Sequence, residues 1–269
     1  MRKFIVSDLH GDGIIYDSIM DYLDDISYSD KVTLYINGDL IDRGNDSFRM
    51  LIDVINRING KGYINIEYLA GNHELMLYQA YLNRKSNGKF RKISDWYFNG
   101  GRTLGRSIEI SNSFIQEEIF NFISNLKIYH AFSDKVMNNN VLLVHAQAPK
   151  KVKEECDITL KNNNRLVFKT LWTRKDDSVF IPKKIGKNGY FTIIGHTPVE
   201  NELGFYYSEK ENTLNIDGGC GRYVLGDIEM NHVPLVELAD DELLISIFKH
   251  DGNIDSTYEF DGKTLKKIR

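Results

Sequence analysis

The order of apolar and polar segments predicts an α/β fold. Apolar runs at residues 4–6 and 32–36 each end in a polar cluster, and a segment with apolar residues at helical spacing follows each of them. A third run at 63–69 repeats the pattern before a helix expected over 74–83. Strands that alternate with helices are typical of α/β proteins. In such sheets ligands bind at the carboxyl ends of strands, where these polar clusters lie.

Two helices follow from the apolar spacing. The first has Ile15, Ile19 and Leu23 on one face, with Asp12 placed to cap its amino end. The second carries Phe48 and Leu51, together with further apolar residues, on one helical face. Each helix therefore has an apolar side that can pack against the predicted strands.

The alternation is interrupted over residues 84–126. A polar stretch rich in Asn and Gly is followed by a helix that Ser113 and Gln116 would begin as a capping box. We interpret this segment as a helical cap insertion over the site. Further strands are predicted at 127–132, 141–144, 191–194, 214–216, 235–238 and 243–248, with hairpin turns at the Asp-Gly pairs 251–252 and 261–262. No repeat or linker divides the chain, so we expect one domain over residues 1–269.

Composition excludes several classes of protein. The chain has 269 residues, and 34 Lys and Arg against 38 Asp and Glu give a net charge of -4. This mildly acidic balance disfavours a nucleic-acid partner. No apolar stretch reaches the length of about 20 residues that crosses a bilayer, so no membrane partner is expected. The only cysteines, Cys156 and Cys220, do not form a disulfide framework, and we expect a cytoplasmic protein with free thiols.

Five polar clusters, each at the end of an apolar run, indicate chemistry. Their ligand types are carboxylates, amides and imidazoles, which suit Mn, Fe, Zn or Ni better than thiolate-preferring metals. A single histidine after a strand is more often structural, and an Asn-Gly pair usually marks a turn. The order of all five clusters along the chain is what indicates a metal site. The clusters are Asp8-Leu9-His10, residues 38–44, residues 71–74, His145 and residues 195–198.

The clusters together resemble the motifs of calcineurin-like metallophosphoesterases, and more narrowly those of the phosphoprotein phosphatase branch. This branch includes bacterial and phage protein phosphatases and symmetrical diadenosine tetraphosphatases. The resemblance implies an α/β four-layer sandwich of two central β-sheets flanked by helices, with a helical cap insertion. The matching segments are Ser7-Asp8-Leu9-His10-Gly11, Gly38-Asp39-Leu40-Ile41-Asp42-Arg43-Gly44, Gly71-Asn72-His73-Glu74, Val144-His145-Ala146, Gly195-His196-Thr197-Pro198 and Ile216-Asp217-Gly218-Gly219-Cys220.

The resemblance also implies the ligands of two divalent ions. Asp8, His10 and Asp39 would hold the first ion, and Asp39 would bridge to the second. The remaining ligands of the second ion would be Asn72, His145 and His196. Manganese is the metal expected in vitro, with Fe, Zn or Ni as alternatives. Paired ions of this kind generate hydroxide from water at neutral pH, so a phosphoenzyme intermediate is not required.

Other site residues have roles that the resemblance implies. His73 would be the general acid and Asp42 would assist it, since a nearby carboxylate favours the imidazolium. Arg43 has the planar fork that binds two phosphate oxygens, and Arg174 resembles the second phosphate-binding arginine of phage-type enzymes. Asn72 would contact the substrate as well as the metal. Asn99-Gly100-Gly101, after Trp96, would border the substrate cleft. We interpret three further histidines as structural, namely His130, His232 and His250.

The predicted function is that of a metal-dependent phosphomonoesterase. Its substrate would be a phosphorylated protein or a small phosphoester. In a protein it would act on phosphoserine or phosphothreonine, and also on phosphotyrosine. The alternative is a symmetrical bis(5'-nucleosyl)-tetraphosphatase, which shares every motif above. A phosphodiesterase and an inactive binding protein are weaker alternatives, because Arg43 and the full set of ligand types disfavour them. The sequence leaves the oligomeric state open.

Overall fold

A computed structural model describes residues 1–87, 94–136, 138–162, 165–174, 189–229, 231–239 and 242–269. In this part of the chain the strands are β1 (Arg2–Val6), β2 (Val32–Asn37), β3 (Asn65–Leu69), β4 (Tyr129–Val136), β5 (Asn139–Val144), β6 (Tyr190–Ile194), β7 (Tyr206–Ser208), β8 (Thr213–Asn215), β9 (His232–Ala239), β10 (Glu242–Lys249), β11 (Ile254–Phe260) and β12 (Leu265–Lys267). The helices are α1 (Gly13–Ser27), α2 (Ser47–Asn56), α3 (Asn72–Asn87), α4 (Ser94–Trp96), α5 (Arg102–Ile110), α6 (Ser113–Ser124), α7 (Arg165–Trp172) and α8 (Cys220–Tyr223).

The strands form two mixed sheets. The first has seven strands in the order β12-β11-β10-β9-β1-β2-β3, and the second has five in the order β4-β5-β6-β8-β7. In the first sheet β1, β2 and β3 are parallel, and β9 joins β1 in the antiparallel sense. In the second sheet β5, β6 and β8 are parallel. The carboxyl ends of β1, β2, β3, β5 and β6 are the strand ends that precede the polar clusters.

Alternating side chains of the central strands face two different apolar layers. On β1, Ile5 joins a cluster with Tyr35 of β2 and with Phe132 and Leu143 of the second sheet. The Tyr35 and Phe132 rings meet edge to face, with their centroids 4.7 Å apart. The neighbours of Ile5 on β1 join the cluster that contains the helices instead. Because successive strand side chains point to opposite faces, the two sheets pack face to face with helices outside them.

The helix ends show which capping predictions hold. Asp12 accepts a hydrogen bond from the main-chain N–H of Ile15 at 3.2 Å and caps α1, as predicted. The predicted capping box at Ser113 is wrong by one residue. Asn112 has extended backbone angles and accepts from the N–H of Ile115, so it is the cap of α6. Asn112 takes this role because its short amide side chain reaches the first turn as well as a serine hydroxyl does.

The chain between β3 and β4 is helical where the structure describes it. Helices α3, α4, α5 and α6 cover this region, and a short turn at residues 97–101 connects α4 to α5. Residues 88–93 of the predicted insertion lie outside the described residues. The Tyr81 and Phe120 rings stack at 3.8 Å and join α3 to α6. None of the described helices has the length and apolar character needed to cross a membrane.

Candidate metal centre

The polar clusters meet at one edge of the two sheets, and their backbone there is unusual. Eight non-glycine residues among those described have a positive φ, a conformation that side chains disfavour. Strained backbone of this kind concentrates at functional sites, where the surrounding structure holds it in place. Six of the eight are predicted site residues, namely Asp8, His10, Asp39, Asp42, Arg43 and His196.

Asp39 lies at the centre of the cluster. Its Oδ2 atom is 3.6 Å from Nε2 of His10 and 3.4 Å from Nε2 of His145. The other carboxylate oxygen, Oδ1, accepts the main-chain N–H of His73 at 2.9 Å. One oxygen of Asp39 is therefore fixed by the protein, and the other lies close to imidazole nitrogens from both sheets.

Main-chain carbonyls orient two of these imidazoles. Nδ1 of His10 lies 3.2 Å from the carbonyl oxygen of Ile41, and Nδ1 of His145 lies 2.8 Å from that of Asn37. A ring that donates from Nδ1 to a carbonyl keeps its Nε2 lone pair free. Metal-binding histidines are commonly oriented in this way. His10 and His145 thus direct their Nε2 atoms toward Asp39.

Asn72 and His196 complete the second half of the cluster. The amide oxygen of Asn72 is 3.1 Å from Nε2 of His145 and 2.7 Å from Nδ1 of His196. Asp8 lies beside them, because both of its carboxylate oxygens accept the main-chain N–H of His196 at 3.1 and 3.0 Å. The Ser7 hydroxyl also donates to Asp8. The structure therefore brings all six predicted metal ligands together.

The electrostatics of the cluster favour a cation. Burial would lower the pKa of His145, but the carboxylates of Asp39 and Asp8 outweigh it and raise that pKa to about 10. Burial raises the pKa of Asp39, yet the neighbouring His145 and His73 bring it well below its ordinary value. Burial also raises the pKa of Asp8 to about 6. Protonated His145 therefore places positive charge near two buried carboxylates. A metal ion bound there would take the place of that charge.

The other two histidines favour the neutral form. Burial and the nearby Arg43 and His73 lower the pKa of His10 well below its ordinary value. Burial lowers the pKa of His196 likewise, with His145 and Arg174 adding to the effect. Neutral imidazoles keep the lone pair that a metal requires. Among the described residues, two groups have ligand atoms within 4.8 Å of one another: His10, Asp39 and His73, and Asp39, His145 and His196.

His73 faces a different partner. Its Nδ1 is 2.8 Å from Oδ2 of Asp42, and its Nε2 is 3.4 Å from the guanidinium of Arg43. The Asp42 oxygen that contacts His73 also accepts the indole N–H of Trp96 at 2.7 Å. Burial raises the pKa of Asp42, and the bonds from His73 and Trp96 counteract this. The predicted acid, its carboxylate and the predicted phosphate arginine therefore form one connected group.

A cleft of about 460 Å³ opens over the cluster. Asn99 and Gly100 lie in its wall as predicted, together with Phe98, whereas the predicted Gly101 packs against Trp96 instead. Arg174 also lines the cleft, where its Nε donates to Nε2 of His196 at 3.1 Å. The predicted second arginine is thus at the cleft, although it contacts a histidine there.

Glu74 is a site residue whose role the sequence analysis missed. It is fully buried, and its Oε2 accepts the main-chain N–H groups of Asp39 at 2.9 Å and Gly71 at 2.8 Å. The Tyr68 hydroxyl donates to its other oxygen at 2.6 Å. Glu74 therefore ties the turn after β2 to the turn after β3. Its place as an acid in the first turn of α3 could have indicated this role, since such residues bind free N–H groups.

Asp217 is a further buried carboxylate at the cleft. Its Oδ1 accepts the main-chain N–H of Gly219 at 3.0 Å. Burial and the nearby Asp8 raise the pKa of Asp217 well above its ordinary value. Asp217 belongs to the motif at residues 216–220, which predicted no function for it.

The fold and the site together define the class of this protein. Two mixed sheets with flanking helices, and imidazole, carboxylate and amide ligands at their shared edge, are features of a metal-dependent phosphoester hydrolase. The model of the calcineurin-like phosphoesterase family matches residues 1–258. The chain belongs to this family of phosphoesterases.

Individual relatives fall into more than one functional group. Serine/threonine-protein phosphatase 2 of Escherichia coli (strain K12) is 31% identical over 96 residues, which are 35% of this chain and 39% of that protein. A protein serine/threonine phosphatase from Saccharomyces cerevisiae with similarity to human PP5 superposes with a TM-score of 0.57 at 12% identity, over 92% of this chain and 79% of that one. A protein assigned as a diadenosine tetraphosphatase has a TM-score of 0.53 at 14% identity, over 91% and 93% of the two chains. These superpositions support the predicted fold.

Proposed function

We propose that this protein is a phosphomonoesterase that removes phosphate from phosphoserine and phosphothreonine in proteins, with two divalent metal ions. One observation carries the proposal. The cluster around Asp39 lines a cleft together with Arg43, and the Arg43 guanidinium contacts His73, which is hydrogen-bonded to Asp42. A metal site, an anion-binding group and a proton donor are the three components that hydrolysis of a phosphate monoester needs.

The proposed metal ligands are the six side chains of this cluster. Asp8, His10 and Asp39 would hold one ion, and Asp39 would be shared with a second. Asn72, His145 and His196 would complete the second site. When bound, the ions would lower the pKa of a water molecule and neutralise charge on the phosphate. The nitrogen and oxygen ligands suit manganese in vitro, with Fe, Zn or Ni as alternatives in the cell.

His73 acts as the general acid in this proposal. Asp42 holds Nδ1 and thereby directs Nε2 toward Arg43, which lines the cleft and donates to it. A phosphate oxygen that binds the Arg43 guanidinium draws it away from His73. The freed Nε2 takes up a proton from solvent while Nδ1 stays bonded to Asp42, and it gives that proton to the leaving oxygen. Two N–H groups of the Arg43 guanidinium bind two oxygens of the phosphate. Arg174 moves from His196 to contact the same phosphate.

We also propose a cellular compartment for this protein. Both cysteines are buried and free in the structure. Because free thiols persist in reducing surroundings, we place the protein in the cytoplasm.

A parallel rate panel tests the function. Purified protein is assayed with added Mn²⁺, and with chelator, on serine, threonine and tyrosine phosphopeptides, on diadenosine tetraphosphate and on a phosphodiester. We expect the serine and threonine phosphopeptides to be cleaved fastest, and only with metal. Asp39→Asn, purified in the same way, should lose this activity and bind less metal by elemental analysis, because the shared ligand is weakened. Dominant cleavage of diadenosine tetraphosphate would replace the proposal by the tetraphosphatase alternative.

A further inference from the structure

We propose that Trp96 is a positioning residue for proton transfer, acting through Asp42 on His73. The inference rests on the proposed role of His73 as the acid. It assigns a catalytic task to the region between β3 and β4, which was predicted as a helical cap insertion over the site. In this view the helical region helps to set the geometry of the catalytic acid.

The contact geometry supports this role. The indole N–H of Trp96 and Nδ1 of His73 both bond to Oδ2 of Asp42, at 2.7 and 2.8 Å. All three side chains are at most 2% exposed. The other carboxylate oxygen of Asp42 is buried and has no hydrogen-bond partner among the described residues. Trp96 and His73 are therefore the two groups that fix the rotation of this carboxylate.

Neighbouring glycines make room for the indole. Gly101 has ordinary helical backbone angles, yet a Cβ atom there would overlap Nε1 of Trp96. A Cβ atom at Gly105 would lie 3.3 Å from the far edge of the same ring. The indole thus occupies a tight slot in which its N–H can point only toward Asp42.

The same segment also supports Arg43. The carbonyl oxygen of Gly100 accepts the main-chain N–H of Arg43 at 3.1 Å. Asp42 and Arg43 have φ values of 72° and 67°, which are strained for residues with side chains. Trp96 and Gly100 therefore hold adjacent residues of one strained turn, one through a side chain and one through the main chain.

The test removes the N–H and keeps an aromatic ring. Trp96→Phe is compared with Tyr97→Phe, which removes a hydroxyl from the next residue in the same segment. For both variants kcat and KM are measured with Mn²⁺ on an alkyl phosphate, phenyl phosphate and 4-nitrophenyl phosphate. We expect Trp96→Phe to lower kcat on the alkyl phosphate roughly tenfold, as for the loss of one hydrogen bond to a charged group. On 4-nitrophenyl phosphate kcat should change little, because this leaving group needs little protonation. KM should stay unchanged, and Tyr97→Phe should show no such pattern.

Two further variants separate positioning from a structural role. In a His73→Asn background, Trp96→Phe should cause no additional loss if it acts through His73. Gly101→Ala keeps the indole N–H but displaces the ring, so it should reproduce the defect that depends on the leaving group. Thermal unfolding of each variant checks that it is folded.

The outcomes distinguish this inference from the proposed function. Equal losses on all three substrates, additive losses in the His73→Asn background, or no loss in Trp96→Phe and Gly101→Ala would overturn the positioning role while wild-type activity stands. A wild-type protein without metal-dependent hydrolysis of any phosphate would overturn the proposed function, and the positioning role with it.

Discussion

The two sides of the cleft are held by different parts of the molecule. On the metal side, Asp39, His10 and His145 are oriented by the main chain of the strand ends and by the buried Glu74. On the acid side, Asp42 bonds to His73 and also accepts a hydrogen bond from Trp96, which lies outside both sheets. The metal side therefore depends on how the sheets pack, and the acid side depends on the helical region between β3 and β4.

This difference predicts two kinds of defect. A change on the metal side alters how tightly an ion binds, so more metal in solution restores the rate. The size of such a defect does not depend on the leaving group. A change on the acid side alters proton donation, so the leaving group decides the size of the defect and added metal has no effect. Variants on each side can be sorted by these two measurements.

The largest effect is expected for His73→Asn. It removes the proposed acid, so hydrolysis of an alkyl phosphate should fall by roughly 10²–10⁴-fold, the range of general acid catalysis. An aryl phosphate with a good leaving group should be affected far less. Steady-state rates at saturating Mn²⁺ check this. Equal losses on the two substrates would contradict the acid role, and a loss that more metal restores would move His73 to the metal side.

A smaller effect is expected for Glu74→Gln. The amide oxygen still accepts from the N–H groups of Asp39 and Gly71, but the buried negative charge near Asp39 is lost. We expect metal affinity to fall roughly 10- to 100-fold, as for other residues that support metal ligands. Titration of activity with Mn²⁺ measures this, and saturating metal should restore the rate on both kinds of substrate. Glu67→Gln, a change on the neighbouring β3, is the matched control and should titrate like the wild type. A defect that saturating metal leaves in place would contradict the assignment.

The smallest effect is expected for the pH dependence of thermal stability, measured with chelator present. The pKa of His145 is raised to about 10 from an ordinary 6.5, so its protonation stabilises the fold below pH 6.5, and this stabilisation is lost as the pH rises toward 10. Asp8 has a pKa raised to about 6, so its contribution to stability also falls as the pH rises, but over a lower pH range. The thermal midpoint should therefore fall by roughly 5 °C between pH 7 and pH 9. His145→Gln should flatten the slope, whereas a midpoint that rises over this range would contradict the charge arrangement.

Local patterns predicted the α/β alternation and the polar clusters at the strand ends. The two-sheet sandwich and the set of metal ligands were implied by the resemblance to the family. Apolar runs that end in polar residues identify strand ends, and parallel strands bring such ends together. Asp8, Asp39 and His145 each follow a run of this kind, and the structure places them in one cluster. The α/β fold and the membership of the phosphoesterase family are confirmed. The roles of the individual residues stay predictions, which the variants above test.

Other features could not be predicted, because they depend on contacts between distant segments. Trp96 is 54 positions from Asp42, and the spacing does not show that its N–H reaches this carboxylate. Glu74 stands in a quoted motif, but its bonds to two main-chain N–H groups require the packed turns. The cap of α6 was misplaced for a local reason, since Asn112 and Ser113 are both good capping residues. Neighbouring residues of equal propensity give no basis for choosing between them.

The bond between the Asp8 carboxylate and the main-chain N–H of His196 joins positions 188 residues apart. Closing so long a loop is slow and needs the intervening segments to be in place. A nascent or truncated chain that lacks His196 therefore lacks one of the proposed ligands, whatever the metal concentration around it. We expect metal uptake to come late in folding, so bound metal would report that a molecule has reached its native topology.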